Sequence, residues 1–282
     1  MTRPELVTHD AVYPESPRWY DGELWFSDVH AYAVKAVDTA GTVRTVVDVP
    51  GRPAGLGFLP DGSLLIAGAL DRRLWRWDGT SLQMLADLSP MVHGLLNDMV
   101  VDARGRAYVG DTGFNLMAGE PPRAGAVITV DTGGDMTPVV AASGVQFPNG
   151  AALDEPSHTL WLSETTARRV TRFRIGSDGR LSEARTVIDL PGLCDGLCVD
   201  HDGNVWVALL EAGEFWHVAP DGAVLQVLPA DGRLAVACVL GGPDRRDLYL
   251  CSAATTMAEL AQGSSRGLIH RLRVDTAGAG RP

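Results

Sequence analysis

The stretch SPRWYDGELWFSD, residues 16–28, joins an apolar run to a second apolar run through a tight polar turn. The dipeptide Asp21-Gly22 supplies the positive φ angles that two-residue connections need, and the flanking Trp, Tyr, Leu and Phe residues favour strands. The stretch therefore predicts a β-hairpin. Asp61-Gly62 and Asp202-Gly203 indicate turns of the same kind further along the chain.

The hairpin recurs six times, at intervals of roughly forty to fifty residues, and such a period is typical of repeat architectures. The turns of the six copies begin at Tyr20, Pro60, Ala103, Glu155, His201 and Pro243. Further strand-like segments follow each copy, for example RRLWRWDGT from Arg72. Four strands in each of six copies predict an all-β fold, a six-bladed β-propeller with four antiparallel strands per blade. A solenoid or two stacked sandwiches are the alternatives.

The two ends of the chain predict how the ring closes. The run ELVTHD from Glu5 has no partner of its own, and the last copy, ending near RGLIHRLRVD from Arg266, lacks a clear fourth strand. Pairing the two would remove the open sheet edges. We therefore expect residues 1–10 to form a closing strand, residues 275–282 a flexible tail, and residues 1–282 a single domain. Helical periodicity is confined to residues 256–262.

Composition limits the partners and the compartment. The formal net charge of −11 argues against nucleic acid or an acidic membrane surface. The N-terminus has no apolar leader and no run is long enough to cross a bilayer, so we expect a cytoplasmic protein, monomeric or a small homo-oligomer. The four cysteines lie in apolar runs. Cys194 and Cys198 superficially resemble a ligand pair, but in a strand they would lie about 13 Å apart, which favours buried thiols.

One position near the start of each copy should face the central channel. These six residues are Glu15, Gly55, Asn97, Asn149, Asp195 and Ala237. Four carry oxygen atoms and the other two almost no side chain. Oxygen-only ligands predict one divalent metal ion, Ca²⁺ first, with Zn²⁺, Mg²⁺ or Mn²⁺ as substitutes. The alternative is that these Asn and Asp side chains only hydrogen-bond their own backbone.

Four segments resemble signature stretches of the senescence-marker-protein/gluconolactonase/regucalcin family. They are PESPRW around Glu15, LNDMVVDARGRAYVGD around Asn97, FPNGAALD around Asn149 and CDGLCVDHDGNVWVA around Asp195. The resemblance covers about Ala11 to Val274. It implies a six-bladed propeller with one metal ion, hydrolysis of lactones or related esters, and metal-ligand roles for Glu15, Asn149 and Asp195. It also implies contact of Asn97 with substrate or metal, and a general-base role for Asp195.

The chain departs from the sugar lactonases of that family beside Asn97. An arginine stands there two residues before the asparagine, whereas this chain has Leu95, followed by Leu96. We therefore expect a more apolar substrate than a sugar lactone. The residues expected to contact it are Leu95, Leu96, Asp111, Phe114 and Met117.

The chemistry that these residues allow is metal-assisted hydrolysis of a lactone or related ester. The cation would polarise the carbonyl and Asp195 would activate water. Asn97 and His93 are further catalytic candidates, although a lone loop histidine is also compatible with no role. Asp28, Asp111 and Glu164, at the ends of second strands, would orient the ligands or simply be solvated at the rim. Asp98, a further supporting residue, would point away from Asn97 towards neighbouring backbone. A non-catalytic Ca²⁺-binding regulatory protein and a hydrolase of another ester class, such as phosphotriesters, are the alternatives.

The loop over residues 113–125 is a candidate lid.

Overall fold

Six four-stranded antiparallel sheets make up the computed structural model, which describes residues 3–280. After β1 (Glu5–Ala11), the strands of blades one to three are β2 (Pro14–Tyr20), β3 (Glu23–Asp28), β4 (Ala33–Val37), β5 (Val43–Asp48), β6 (Pro53–Phe58), β7 (Leu64–Gly68), β8 (Arg73–Trp77), β9 (Leu82–Asp87), β10 (Leu96–Val101), β11 (Arg106–Asp111), β12 (Gly125–Asp131) and β13 (Val139–Val145). Those of blades four to six are β14 (Pro148–Asp154), β15 (Thr159–Glu164), β16 (Arg169–Ile175), β17 (Leu181–Asp189), β18 (Cys194–Val199), β19 (Val205–Leu209), β20 (Glu214–Val218), β21 (Val224–Pro229), β22 (Leu234–Gly241), β23 (Asp247–Ala254) and β24 (Arg266–Arg273).

The first strand of every blade lies at the centre of the ring. These innermost strands, β2, β6, β10, β14, β18 and β22, each contact the innermost strands of both neighbouring blades, so the series closes on itself. This arrangement confirms the six-bladed β-propeller. The buried apolar side chains form six clusters, one between each pair of adjacent blades. Burial of apolar surface between blades is thus what holds the ring together.

Strand β1 closes the ring by pairing antiparallel with β24, the third strand of blade six. Glu5 pairs with Arg271 and Ala11 with Gly267. The closing strand was expected over residues 1–10. It begins at Glu5 and extends to Ala11, and Met1 and Thr2 lie outside the described residues.

Turns of several lengths join the first two strands of a blade. At Asp21-Gly22 both residues have positive φ, as the two-residue turn requires. Asp61-Gly62 and Asp202-Gly203 differ from the prediction, because three residues separate the last paired backbone groups and only the glycine is left-handed. The extra residue changes the number of residues between the turn and the channel position of the same blade.

Residues 275–280, expected to form a flexible tail, instead return to blade five. Asp200 and Gly278 form a β-bridge, and the Ala279 N–H donates to the Val199 carbonyl at 2.9 Å. Arg281 and Pro282 lie outside the described residues. The four cysteines are buried and free, as expected.

One short α-helix, α1 (Met257–Ala261), follows β23 where helical periodicity was predicted. Thr256 caps its first turn in a reciprocal arrangement with Glu259, which satisfies two backbone donors at the helix start. A 3₁₀ helix over Val29–Ala31 follows β3. Within residues 3–280, none of the helices has the length and apolar character that a bilayer span requires.

Three buried acids at the ends of second strands hold the loop that leads into their own blade. Asp28 accepts the Val12 and Tyr13 N–H groups. Asp111 accepts N–H groups from His93, Gly94 and Gly113 at 2.9–3.0 Å, and Glu164 accepts the Gln146 N–H. We call these acids the loop clamps. Side chains also bind two of these acids, namely Arg169 and Thr171 at Glu164 and Lys35 at Asp28. The backbone hydrogen bonds fix where each innermost strand starts.

Replacing Asp111 with Asn is expected to destabilise the protein. An amide turns its NH₂ group towards backbone donors that the carboxylate now accepts, so at least one charge-assisted hydrogen bond is lost, costing about 1.5–3 kcal/mol. Urea unfolding measures the difference. The control is Asp48→Asn, an exposed position at the end of β5, where a change within about 0.5 kcal/mol is expected. Equal stability of both variants would contradict the clamp.

Deleting residues 1–11 is expected to open the ring. Blade six would keep three strands, and the exposed edge of β24 would promote association. We expect a loss of about 3 kcal/mol or more in the free energy of unfolding and a shift to larger species in size-exclusion chromatography. Leu6→Ser is the control, because Leu6 lies on β1 with its side chain 53% exposed. A truncated chain that stays monomeric and equally stable would show that closure by β1 is dispensable.

Candidate functional site

A chamber of about 170 Å³ lies where the innermost strands begin. All four predicted ligands, Glu15, Asn97, Asn149 and Asp195, line it. Much of the remaining wall is apolar and includes Leu95, Leu96, Leu116, Met117, Phe147, Leu193, Leu210, Met257 and Leu260. The structure therefore brings together groups that lie 40 or more residues apart in sequence.

A β-bulge in each innermost strand presents these groups to the chamber. The pairing register shifts between Glu15 and Arg18 in blade one, and at the corresponding place in the other five blades. A bulge bends a strand and re-aims the side chain beside it, which is why bulges recur next to functional sites. The same local irregularity thus produces the site in every blade.

The strand pairing corrects two of the six predicted channel positions. Asn97, Asn149 and Asp195 each follow the residue that pairs with the end of the second strand. By that rule the position in blade two is Ala54, which lines the chamber, since Pro53 pairs with Gly68. In blade six it is Ala235, since Leu234 pairs with Ala253, and neither Ala235 nor Ala237 lines the chamber. Gly55 and Ala237 therefore lie after the corresponding positions, which both carry only a methyl group, because turns of unequal length displaced the count.

Gly55 serves a different purpose, which is close approach of neighbouring strands. A Cβ atom there would lie 2.4 Å from the Met99 backbone nitrogen, and one at Gly150 would lie 2.5 Å from that of Leu197. Separations below 3 Å are not tolerated without movement of the backbone. Glycine at these positions therefore lets the innermost strands converge.

The two asparagine side chains are oriented by their nitrogen atoms. The Asn97 Nδ2 group donates to the Pro148 carbonyl at 3.2 Å, and the Asn149 Nδ2 group donates to Thr165 Oγ1 at 3.1 Å. Thr165 in turn donates to the Cys194 carbonyl at 2.8 Å. With both nitrogens engaged by protein acceptors, each amide has its oxygen left to act as a ligand or acceptor.

The two carboxylates of the site destabilise each other's charge. Burial, then the charges of Asp195 and Asp98, raise the pKa of Glu15 well above its ordinary value. Burial and the charge of Asp98 raise the pKa of Asp195 to about 8, while the Asn149 side chain opposes this rise. Asp195 Oδ1 is buried and has no hydrogen-bond partner within the described residues. Such an orphaned oxygen beside a second acid indicates a missing positive partner.

Asp98 was expected to support the ligands, and it connects three blades at the channel. Its Oδ1 accepts from Ser16 and from Arg18, each at 2.7 Å, and its Oδ2 accepts the Ala151 N–H at 3.2 Å. Arg18 also donates to the Leu56 and Met99 carbonyls. The Arg18 guanidinium is therefore paired within the wall, and its charge lowers the pKa of Glu15 by less than burial and the charges of Asp195 and Asp98 raise it.

Other predicted residues divide between the chamber and its surroundings. Leu95, Leu96 and Met117 line it, and so do Asn115 and Leu116 from the candidate lid over residues 113–125. Asp111 and Phe114 are buried outside its lining. His93 is exposed and its backbone, not its ring, binds Asp111. Asp28 and Glu164 are loop clamps, so none of the three predicted acids at strand ends turns towards the metal ligands.

Several residues that line the chamber were not predicted from the sequence. Tyr13 is buried, and its burial together with the charges of Glu15 and Asp195 raises the pKa of its phenol well above the ordinary value. Arg52, His30 and helix α1 also contribute to the wall. Tyr13 and Arg52 each stand one residue before an innermost strand. The hairpin repeat could have identified both residues, because the position one residue before the innermost strand can be counted in every copy.

The residues present fit a hard divalent cation. They comprise two carboxylates, one of which has an oxygen without a hydrogen-bond partner, and two amide oxygens. Oxygen-only sets of this kind suit Ca²⁺ or Mg²⁺. Across residues 3–280 the structure has no group of three or more His, Cys, Asp and Glu residues arranged to hold a metal ion. A site here would therefore depend on Asn149 and Asn97 as well as on its two acids.

Comparison with known proteins gives relatives that span the whole chain. The pentonolactonase XacC of Haloferax volcanii is 27% identical, over 100% of this chain and 97% of its own length. The 6-deoxy-6-sulfogluconolactonase of Pseudomonas putida is 24% identical, over 98% of this chain and 96% of its own.

The fold matches solved propellers as well. A calcium-binding protein, regucalcin, from Agrobacterium tumefaciens superposes with a TM-score of 0.82 at 21% identity, covering 99% of this chain and 96% of that one. At this identity the likeness shows the fold alone. The family model described as the SMP-30/Gluconolactonase/LRE-like region matches residues 13–254. The chain therefore belongs to the SMP-30/gluconolactonase/LRE-like family.

Proposed function

We propose that this protein is a divalent-cation-dependent hydrolase that opens a lactone or a closely related ester. The observation that carries the proposal is the convergence of Glu15, Asn97, Asn149 and Asp195 on one chamber, with an oxygen of Asp195 left without a partner. Membership of the family and the lactonases among its relatives support lactones as the substrate class.

Glu15, Asn149 and Asp195 would hold the cation, with Asn97 beside them. Ca²⁺ is the first candidate, because every donor is a hard oxygen. When bound, the cation polarises a carbonyl oxygen and acidifies water. Asp195 in its ionised form takes a proton from the attacking water, and its fixed position on the β18 bulge sets the direction of attack.

Two other side chains have distinct tasks. One N–H of the Asn97 amide already donates to Pro148, so Asn97 offers its oxygen as an acceptor and has one further N–H that can donate to substrate. The Tyr13 phenol stays protonated because its pKa is raised, and its hydroxyl supplies a hydrogen-bond donor inside the chamber.

The substrate ring that this chamber accepts is more apolar, with fewer hydroxyl groups, than the ring of a sugar lactone. Leu95, Phe147, Leu193 and Leu210 offer hydrocarbon to the ring of the substrate, and sugar hydroxyls placed against them would lose hydrogen bonds to water without compensation. A small lactone with few hydroxyl groups fits the apolar wall and the polar groups of the chamber, Glu15, Asn97, Asn149 and Asp195.

Hydrolysis of aliphatic and aromatic lactones by Ca²⁺-loaded protein tests the proposal, followed as proton release. Chelator should abolish turnover and added Ca²⁺ should restore it. Asp195→Asn is expected to lower kcat by at least about 100-fold, as loss of a general base does. Asp21→Asn, in a turn at the far end of the hairpin where Asn is equally suited, should leave turnover unchanged. Failure to hydrolyse any lactone would overturn the proposal, and cation binding without hydrolysis would favour a non-catalytic binding protein.

The stabilisation conferred by Ca²⁺ is expected to increase with pH. Because the folded-state pKa values of Glu15 and Asp195 are raised, their ionisation destabilises the cation-free protein as pH rises from about 4 through 8. Bound Ca²⁺ favours the ionised forms, whereas at pH 5 it must displace protons. The rise in Tm on adding Ca²⁺ should therefore be larger at pH 8 than at pH 5, and the difference should shrink in Asp195→Asn. Equal shifts at the two pH values would contradict this account.

A further inference from the structure

A second ring of side chains surrounds the metal ligands. It consists of the residues directly before the innermost strands, which we call the pre-strand residues. In five blades they line the chamber, namely Tyr13, Arg52, Leu95, Phe147 and Leu193. Each carbonyl accepts a backbone N–H at 2.8–3.1 Å, from Val29, Ala69, Thr112, Thr165 and Leu210 respectively. These hydrogen bonds fix the backbone from which each side chain extends.

Arg52 is the one charged member of this set. The other four pre-strand side chains are aromatic or aliphatic, so Arg52 contributes the one guanidinium among hydrocarbon side chains and a phenol. Within residues 3–280 its side chain makes no hydrogen bond or ion pair, and its Nε atom is buried without a partner. Burial lowers the pKa of Arg52. An arginine stays charged in proteins nonetheless, so the chamber contains a cation with unsatisfied donors.

Nearby groups do not neutralise this charge. Asp71, the acid of the adjacent loop, accepts from Trp75 Nε1 and from the Arg73 backbone. His30 also lines the chamber, and burial together with the charge of Arg52 lowers its pKa. At neutral pH His30 is therefore an uncharged neighbour. Within residues 3–280 no carboxylate forms an ion pair with Arg52, and the acids that share its chamber, Glu15 and Asp195, are assigned to the cation in the proposed function. A ligand can therefore supply the negative partner for Arg52.

The backbone at Arg52 is held ready in a costly conformation. Arg52 has φ +63°, a left-handed value that non-glycine residues seldom adopt. The Leu70 N–H donates to the Gly51 carbonyl at 2.8 Å, and a Cβ atom at Gly51 would collide with the Asp71 carboxylate at 2.1 Å. The turn is therefore locked to the loop that follows β7, so little freedom is left to lose when a ligand binds.

We propose that the substrate is a lactone carrying a carboxylate, and that Arg52 binds this carboxylate while the ring lies over Glu15 and Asp195. This inference rests on the proposed lactone hydrolysis. A guanidinium matches a carboxylate with two parallel hydrogen bonds, whereas a neutral substrate leaves buried N–H groups unpaired. Since a cavity of about 150 Å³ holds benzene, the 170 Å³ chamber has room for a small lactone ring with a short substituent.

The test compares two probes that differ in one charge, 5-oxotetrahydrofuran-2-carboxylate and its N-methylamide. Wild-type protein should prefer the carboxylate by about 10- to 100-fold in kcat/KM, mainly through KM. In Arg52→Met this ratio should fall to near one, and Arg52→Lys should restore part of it. The matched control is Arg104→Met, an exposed arginine at the opposite end of a hairpin, which should keep the wild-type ratio. A wild-type ratio near one, or a ratio preserved in Arg52→Met, overturns the assignment.

Binding separates this inference from the proposed function. The ring analogue 3-oxocyclopentane-1-carboxylate has no ester bond, so its affinity can be measured by titration calorimetry whether or not lactones are hydrolysed. Arg52→Met should weaken its binding at least about 10-fold, while Arg104→Met should not. If neither lactone is hydrolysed but this difference is found, the proposed function fails and the anion site stands. If both lactones are hydrolysed and the analogue binds all variants with equal affinity, the proposed function stands and the anion site at Arg52 is refuted.

Discussion

Closure of the ring by β1 and β24 is the constraint on which the site depends. The four oxygen-bearing side chains come from blades one, three, four and five, and each is placed only relative to its own strand. Apolar contacts between adjacent blades set their separations, and β1 adds Ala11 to the cluster between blades six and one while it joins blade six to the chain that leads into β2. A local hairpin cannot supply any part of this geometry alone. Loss of closure would relax every blade-to-blade angle and with it the chamber.

Within the closed ring, the site concentrates charge at a cost to stability. Glu15 and Asp195 line the same chamber and raise each other's cost of ionisation, while the Arg18 guanidinium is bound to Asp98. Folding without a cation must therefore keep protons on acids that would be ionised in the unfolded chain. Functional sites commonly carry such local strain, which the rest of the fold offsets. Here the offset comes from the six apolar clusters between the blades.

The hairpin repeat was sufficient to predict the blades and to bring Glu15, Asn97, Asn149 and Asp195 together, because strand period and turn chemistry are local properties. It failed where three-dimensional detail decides. Turns of two and three residues look alike in sequence, which displaced Gly55, and the longer turn between Gly241 and Asp247 displaced Ala237. The direction in which a strand-end carboxylate turns depends on nearby unpaired N–H groups, so Asp111 became a loop clamp. Arg52 escaped notice since a single arginine beside a turn usually suggests a solvated loop.

Two positions of a blade lie beside the same chamber, and they are two residues apart in sequence, as Tyr13 and Glu15 are. The first is the pre-strand residue, whose backbone is fixed by hydrogen bonds that use no side-chain atoms, and the second is the position of the proposed metal ligand. Each blade can therefore change its pre-strand side chain as an independent variable. Five such positions give a modular system in which new substrate preferences can evolve by single substitutions, without disturbing the chemistry beneath them.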